Sequence, residues 1–353
     1  MNTSWGDYTF LEYSTGEPDI DPKTAPCTPS ELSSFAHYFI PVLFSLAFVV
    51  GLIGNGLVLA VLGKRPCPWL FADRYLFQLA IADLLLALTL PFWATQLTHK
   101  WVFGEFLCKV VGTLTTMNGH GSVFLLACLS VERYLAIVRG IQLHHWLKLS
   151  YTYLVAIVVW GICLILSAME LHFRTAAYTS QARKVLCDLE FDSQNAQAWR
   201  LSLRLISFTF GFLIPLLVMV FCYCRIFLAL RRAQGCRRPL ALYLLVVILA
   251  LFVIFWGPFY GFIFVDSLQR LGHLVRDCAQ EKVLDSGLLF TQSLGLVHCC
   301  LNPLVYAFAG VKFRRELSRL FHRSDQGREC QQSSSGPESQ DNGAEGLDYS
   351  IMM

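Results

Sequence analysis

Long apolar stretches separated by short polar segments run along most of the chain. A helix that crosses the roughly 30 Å hydrocarbon core of a bilayer needs about 20 consecutive, mostly apolar residues. Seven stretches of this kind, each with at most one charged residue, cover residues 38–63, 75–98, 110–131, 149–169, 205–224, 239–265 and 286–311. They lack the alternating pattern of barrel strands, and backbone groups in lipid must be satisfied within each segment. We therefore predict seven membrane-spanning helices, called spans 1 to 7.

Composition supports a membrane protein. Charged residues make up 15% of the chain, against roughly 25% in an ordinary soluble domain. Hydrophobic residues make up 55%, and the mean hydropathy is +0.51. The predicted fold class is an all-α membrane protein, a seven-helix bundle with a short amphipathic helix after span 7.

Basic residues predict how the bundle is oriented. They follow spans 1, 3, 5 and 7, at Lys64, Arg65, Arg139, Lys148, Arg231, Arg232, Arg237, Arg238, Lys312, Arg314, Arg315, Arg319 and Arg323. Cytoplasmic loops carry such an excess of Lys and Arg. We therefore expect a multi-pass protein of the cell membrane, with its N-terminus extracellular and its C-terminus cytoplasmic.

The pattern divides the chain into four segments. Residues 1–37 form an acidic extracellular tail without the features of a cleavable signal peptide, and residues 38–311 form the bundle. Residues 312–323 predict an amphipathic helix on the inner leaflet, in contact with membrane lipids. Residues 324–353 are rich in Ser, Gln, Gly and acids, which predicts a disordered cytoplasmic tail.

Both tails carry candidate modification sites. The first 34 residues contain six acids and one lysine, so this tail would attract a basic partner, and sulfation of Tyr8 and Tyr13 would strengthen that attraction. Asn2 matches a glycosylation acceptor, and Cys330 is a palmitoylation candidate. Exposed serines in the cytoplasmic tail are candidate phosphorylation sites, namely Ser333, Ser334, Ser335 and Ser339.

Four of the 13 cysteines, Cys27, Cys108, Cys187 and Cys278, fall in segments predicted to be extracellular. Oxidation is permitted there, and four cysteines allow three pairings. A bond between Cys108 and Cys187 would pin the loop between spans 4 and 5 over the bundle. Cys27 and Cys278 would then tie the N-terminal tail to the segment before span 7.

Polar residues at membrane depth need a reason, because burying them in lipid is costly. Asp83 lies in the middle of span 2, and the candidates to join it are Asn55, Asn118, Ser122, His298 and Asn302. Two interpretations stay open. The cluster could hold a cation such as sodium and rearrange with the bundle, or it could be a static hydrogen-bond network between helices.

A second polar group, Glu132-Arg133-Tyr134, stands at the cytoplasmic end of span 3. An adjacent acid and arginine can form an ion pair that holds one state and opens in another. Prolines in spans 5, 6 and 7 predict kinks, which suits a bundle with two packings. The candidate switch residues in these spans are Tyr223, Trp256, Pro258, Asn302, Pro303 and Tyr306.

Motifs in the predicted spans resemble those of class A, or rhodopsin-like, G-protein-coupled receptors. In chain order they are Gly54-Asn55, Leu79 to Asp83, Glu132-Arg133-Tyr134, Trp160, Pro215, Trp256-Gly257-Pro258 and Asn302 to Tyr306. Finer features resemble the chemokine receptors, namely Thr89-Leu90-Pro91, Trp93, Trp101 to Gly104, the four cysteines and His298 to Pro303. The run from Ala309 to Arg314 is most similar to CXC chemokine receptors of types 3 and 5.

The resemblance implies a receptor that passes the binding of a basic CXC-type chemokine to a heterotrimeric G protein of the inhibitory class, supporting cell migration. It implies disulfides between Cys108 and Cys187 and between Cys27 and Cys278. The implied pocket is lined by Trp93, Thr115, Glu170, Asp266 and Gln292. Gln292 departs from the glutamate that many chemokine receptors have there, so it cannot pair with a basic group.

Other functions fit the sequence less well. The alternative is a scavenging or decoy receptor that internalises chemokine without G-protein signalling. A transporter or channel is disfavoured because no internal repeat or pore-lining series of charges is evident. No phosphate loop, zinc spacing or catalytic constellation indicates an enzyme, a cofactor other than sodium or a metal centre. The arginines follow the positive-inside rule, so we expect no nucleic-acid binding.

Overall fold

The computed structural model describes residues 34–64, 71–138, 149–179, 184–192, 194–232, 239–274 and 277–309. Within these residues, seven continuous helical stretches are long and apolar enough to cross a membrane. Span 1 is Ser34–Gly63, span 2 is Phe71–Thr98, span 3 is Gly104–Val138 and span 4 is Leu149–Phe173. Span 6 is Pro239–Arg270. This confirms the seven predicted helices.

Spans 5 and 7 are each built from three consecutive helical segments. Span 5 consists of Ala196–Phe208, a π-helical turn at Thr209–Leu213, and Ile214–Arg232. Span 7 consists of Cys278–Val297, a 3₁₀ turn at His298–Cys300, and Leu301–Ala309. Each irregular turn precedes a proline, Pro215 or Pro303, whose ring would clash with the carbonyl four residues earlier in a regular helix. The turns therefore accommodate the two prolines.

Proline also explains a contact between spans 1 and 7. Because Pro303 has no N–H, the Cys299 carbonyl lacks its usual helical partner. The Asn55 side chain donates to that carbonyl from Nδ2 at 3.0 Å, and also to Gly51 in its own helix. The proline ring packs on Gly54, where an added Cβ would lie 2.8 Å from the ring. Close approach at Gly54 thus allows span 1 to satisfy the irregular backbone of span 7.

A β-hairpin follows span 4. Strand β1, Arg174–Thr179, pairs antiparallel with β2, Lys184–Leu189, and Ala176 lies opposite Cys187. Glu105, at the start of span 3, accepts a hydrogen bond of 2.7 Å from the Ala176 backbone N–H. The hairpin is therefore attached to one end of span 3, which we call the hairpin end of the bundle.

The predicted spans are mostly shorter than the observed helices. Span 3 extends beyond 110–131, so Cys108 and Arg133 both lie within it, and span 5 begins nine residues before the predicted start at Leu205. Charged residues near the helix ends excluded these turns from the apolar stretches. The amphipathic helix predicted at 312–323, the segment 1–33 and the tail 324–353 lie outside the described residues, so the four-segment division stays a prediction.

Candidate ligand cavity and coupling site

A cavity of about 550 Å³ opens at the hairpin end of the bundle. Residues from all seven spans and from β2 line it, which places it on the axis of the bundle. Trp256 of span 6 forms part of the wall and packs on span 7, where a Cβ added to Gly295 would lie 3.0 Å from the indole. The cavity therefore contacts helices that could repack when a ligand enters.

Four of the predicted pocket residues, Trp93, Thr115, Glu170 and Gln292, line this cavity. The Trp93 indole N–H donates to Thr115 Oγ1 at 2.9 Å, so spans 2 and 3 are joined at the wall. Glu170 Oε2 accepts a hydrogen bond of 2.6 Å from the Thr116 hydroxyl. Pocket residues that are distant in sequence are thus brought together as predicted.

Asp266 differs from the prediction. Its side chain is buried and does not line the cavity, since it pairs with Arg204 of span 5 and with Arg270 one turn further along span 6. Two guanidinium groups therefore satisfy this carboxylate. The group that faces the cavity here is Arg204, which is a cation instead of the expected acid.

Sequence reasoning missed several charged residues of the wall. Arg200 and Arg204 come from the first segment of span 5, four residues apart on one helix face. Arg174 enters from β1 and Asp285 from span 7. The spacing of the two arginines beside an apolar run was the signal that could have found them, and extending span 5 toward its N-terminus would have placed them on the wall.

The predicted polar cluster joins three helices at Asp83, whose side chain is fully buried. Its Oδ1 accepts from the Ser122 hydroxyl at 2.7 Å, and its Oδ2 accepts from Asn302 Nδ2 at 2.6 Å. Asn118 and His298 are buried as well, and Asn118 Oδ1 has no hydrogen-bond partner. Spans 2, 3 and 7 thus meet at one carboxylate.

Glu132 and Arg133 lie at the end of span 3 opposite the hairpin. Arg133 Nε lies 3.2 Å from Glu132 Oε2, and the arginine is 8% exposed. Tyr223 of span 5 lies close by, and its hydroxyl is 2.6 Å from Ser130 Oγ. Tyr134 packs its ring against Phe221, with 5.8 Å between centroids. The predicted ion pair is therefore formed in this structure.

Span 3 connects the two ends of the bundle. Thr115 contacts the cavity wall, Ser122 contacts the buried carboxylate and Arg133 belongs to the ion pair, all on one continuous helix. The Tyr306 backbone is helical, but its side chain lies outside the described residues. Among the residues described, no group of three or more His, Cys, Asp or Glu side chains could hold a metal ion.

The comparison that decides the family covers most of the bundle. The family model described as "7 transmembrane receptor (rhodopsin family)" matches residues 54–306. The chain belongs to this family.

Relatives place this receptor among the chemokine receptors. It is 41% identical over 335 residues to C-X-C chemokine receptor type 3 of Rattus norvegicus, covering 93% of this chain and 89% of that protein. The human type 3 receptor is 40% identical over 312 residues, covering 88% and 84%. C-X-C chemokine receptor type 2 of Macaca mulatta is 37% identical over 317 residues, covering 89% and 88%. The resemblance to type 3 receptors is confirmed, and such proteins are signalling receptors rather than enzymes.

The receptor contains one of the two predicted disulfides within its described residues. Cys108 of span 3 is bonded to Cys187 of β2, with 5.5 Å between the Cα atoms, which confirms this pairing. The other predicted pairing involves Cys27, which lies outside the described residues and stays a prediction. The same holds for the remaining candidate sites of the two tails, Asn2, Tyr8, Tyr13, Cys330, Ser333, Ser334, Ser335 and Ser339.

Proposed function

We propose that this receptor is activated by a CXC-type chemokine, signals through a heterotrimeric G protein of the inhibitory class and thereby supports cell migration. One observation carries the proposal: span 3 links a charged cavity at the hairpin end to a formed Glu132–Arg133 ion pair at the other end. A ligand that binds one packing of the bundle more tightly shifts the population toward it.

The orientation in the membrane follows from the basic segments after spans 1, 3, 5 and 7. They place the hairpin, the cavity and the N-terminal tail outside the cell, and the Glu132–Arg133 pair inside. In this orientation the Cys108–Cys187 disulfide lies in an oxidising compartment, as a persistent disulfide requires. The basic segments and the disulfide therefore support the same orientation.

Capture of the chemokine is assigned to the acidic tail. Its six acids and one lysine favour a basic protein, and sulfate on Tyr8 or Tyr13 would add charge. The N-terminus of the chemokine would then enter the cavity, which is lined by Trp93, Thr115, Glu170 and Gln292. Charge complementarity of this kind raises the association rate and weakens with salt.

Inside the bundle, we assign the polar cluster to a sodium ion that stabilises the inactive packing. The Asp83 carboxylate, the Ser122 hydroxyl and Asn118 Oδ1 offer oxygen ligands, which hard cations prefer. Asn118 and Ser122 are four residues apart on one helix face, and the Asn118 oxygen is buried without a hydrogen-bond partner. The residues therefore fit a cation, whose positive charge would compensate the buried carboxylate.

Activation would open the ion pair at the cytoplasmic end. Outward movement of span 6 about Pro258 would release Arg133 toward the G protein, with Tyr223 and Tyr306 as hydrogen-bonding supports. Afterwards receptor kinases would phosphorylate Ser333, Ser334, Ser335 and Ser339, and an arrestin would bind the added charge. Lipid contact by residues 312–323 and palmitate on Cys330 would hold this end at the membrane, and a glycan would modify Asn2.

The test is to express the receptor in cells and apply a panel of CXC chemokines. Inhibition of cyclic AMP formation, uptake of labelled chemokine and directed migration are measured on the same cells, with Arg133→Ala at matched surface expression as the control. The proposal expects at least one chemokine to lower cyclic AMP and direct migration through the wild-type receptor only. Uptake without any second-messenger response would contradict it and support the scavenging alternative.

A further inference from the structure

Arg174, the first residue of β1, points its side chain into the wall of the cavity. Its Nη2 lies 3.1 Å from Glu170 Oε2, and both side chains are largely buried, at 12% and 20% exposure. Its guanidinium carbon lies 5.8 Å from the centre of the Trp93 ring. An arginine from the hairpin therefore sits between an acid of span 4 and an aromatic face of span 2.

Gly112 of span 3 makes room for this arginine. A Cβ added at this position would overlap the Arg174 side chain from Cδ to Cζ. Glycine inside a helix is unfavourable by about 1 kcal/mol relative to alanine. This cost is offset because the missing side chain lets Arg174 pack directly against the backbone of span 3.

The backbone of Arg174 is held independently of these side-chain contacts. Arg174 is paired with Leu189 across the hairpin, and the neighbouring Cys187 is bonded to span 3. Glu105 accepts hydrogen bonds from the Ala176 N–H and the Thr175 hydroxyl, at 2.7 and 3.1 Å. The contacts of β1 therefore fix the position of the Arg174 backbone.

The partners of the arginine are held as well. Thr116 donates to the same oxygen of Glu170 at 2.6 Å, and Trp93 donates its indole N–H to Thr115 at 2.9 Å. A fixed carboxylate beside a fixed aromatic face has the chemistry that binds organic cations. These two groups would still form such a site if the arginine side chain were removed.

We propose that Glu170 and Trp93 form a subsite for a guanidinium or primary ammonium group, and that Arg174 occupies it as a built-in ligand. The half of the cavity between spans 2, 3 and 4 is then closed to basic groups of an incoming ligand. This consequence rests on the proposed function: a basic group at the chemokine N-terminus would be directed away from this half of the cavity, toward Asp285 of span 7.

The subsite itself can be tested without a chemokine. Purified full-length Arg174→Ala receptor is melted with and without N-ethylguanidinium chloride, a soluble copy of the missing group, over the same fixed sodium chloride concentration. Added potassium chloride at equal ionic strength is the salt control. We expect the probe to raise the melting temperature of this variant by about 3 °C at ten times its Kd. The wild-type receptor and the double variant Glu170→Gln/Arg174→Ala should shift by less than about 1 °C under the same conditions.

Lys109→Ala is the matched control for loss of a cation. It leaves Glu105 without its lysine partner at an exposed ion pair, with 40% and 49% of the two side chains exposed. Solvent screens such a pair, so the probe should not stabilise this variant. Equal rescue of Lys109→Ala, or no rescue of Arg174→Ala, would overturn the proposal and leave the proposed function untouched, because no chemokine enters the experiment.

Gly112→Ala gives a second test that keeps every charge. The added methyl group should displace Arg174 and lower the melting temperature of the wild-type receptor, but it should have little effect when Arg174 is already alanine. Gly161→Ala is the control, since a Cβ at that position meets nothing within 4 Å. Equal loss from Gly112→Ala in both backgrounds would contradict the placement of the arginine. If Arg174→Ala is recovered only in small amounts, the wild-type background still gives a test: equal melting temperatures for Gly112→Ala and Gly161→Ala would also contradict the placement of the arginine.

Discussion

Replacing Asp83 tests whether one carboxylate holds spans 2, 3 and 7 together. Asp83→Ala leaves the Asn302 amide and the Ser122 hydroxyl without their shared acceptor in a fully buried place. An unsatisfied buried group costs about 1–3 kcal/mol. The Ser122 hydroxyl can donate instead to a carbonyl of its own helix, so the unsatisfied amide accounts for most of the cost. We expect the free energy of unfolding to fall by about 3 kcal/mol, which lowers the melting temperature by about 6 °C.

Asp83→Asn separates hydrogen bonding from charge. Its amide oxygen can accept from Asn302 while its amide N–H donates to Ser122, so the geometry is preserved and the expected fall is only about 2 °C. Sodium should stabilise the wild-type receptor, because it compensates the buried charge, and should stabilise neither variant.

The assay is thermal unfolding of purified receptor in detergent, in sodium chloride and in choline chloride at equal ionic strength. Ser293→Ala is the control, since this buried span 7 hydroxyl donates to Leu289 in its own helix at 2.7 Å. It should lose less stability than Asp83→Ala and keep the sodium response. If Asp83→Ala melts within about 1 °C of wild type, the carboxylate does not hold the helices together. If sodium stabilises both Asp83 variants as it does the wild type, the ion is not held at Asp83.

Three other predictions concern the ends of the chain and the disulfides. Cys108→Ser should reduce surface expression more than Cys27→Ser, because the first bond ties the hairpin to a bundle helix; free thiols at both positions in mass spectra of the surface receptor would contradict the pairing. Deletion of residues 1–22 should weaken chemokine binding and flatten its salt dependence, and unchanged binding curves at two salt concentrations would refute capture by the tail. Truncation before Ser324 should slow agonist-driven internalisation at equal surface expression, so an unchanged rate would exclude a role for the cytoplasmic tail.

The fold could be predicted because lipid imposes strict rules on spanning segments. Length and polarity alone locate seven helices, since 20 apolar residues have few other stable arrangements in a membrane. Helix ends are less predictable because they leave the hydrocarbon and tolerate charge. For this reason the first segment of span 5, Ala196–Phe208, was mostly missed, and with it the two arginines of the cavity wall.

The residues alone predict the site where a polar or charged group lies at an unusual position in the membrane, and the resemblance to chemokine receptors adds four residues of the cavity wall. Asp83 stands out because an acid in a membrane helix needs partners, and the structure supplies Ser122 and Asn302. Pairing between distant elements carries no such local signal. The burial of Asp266 against Arg204 depends on how spans 5 and 6 approach each other, and the position of Arg174 depends on the path of the hairpin over Gly112.

The central claim is that Arg133 passes the state of the cavity to a G protein. In this structure its guanidinium is paired with Glu132 at 3.2 Å. A lysine would keep the charge and anchor the helix end by snorkelling, but it lacks the planar fork of arginine.

Chemokine-driven inhibition of cyclic AMP formation by Arg133→Lys, at surface expression matched to wild type, therefore tests the claim most directly. We expect the response to be lost while chemokine binding to intact cells is kept. A full response from Arg133→Lys and from Arg133→Ala would contradict it.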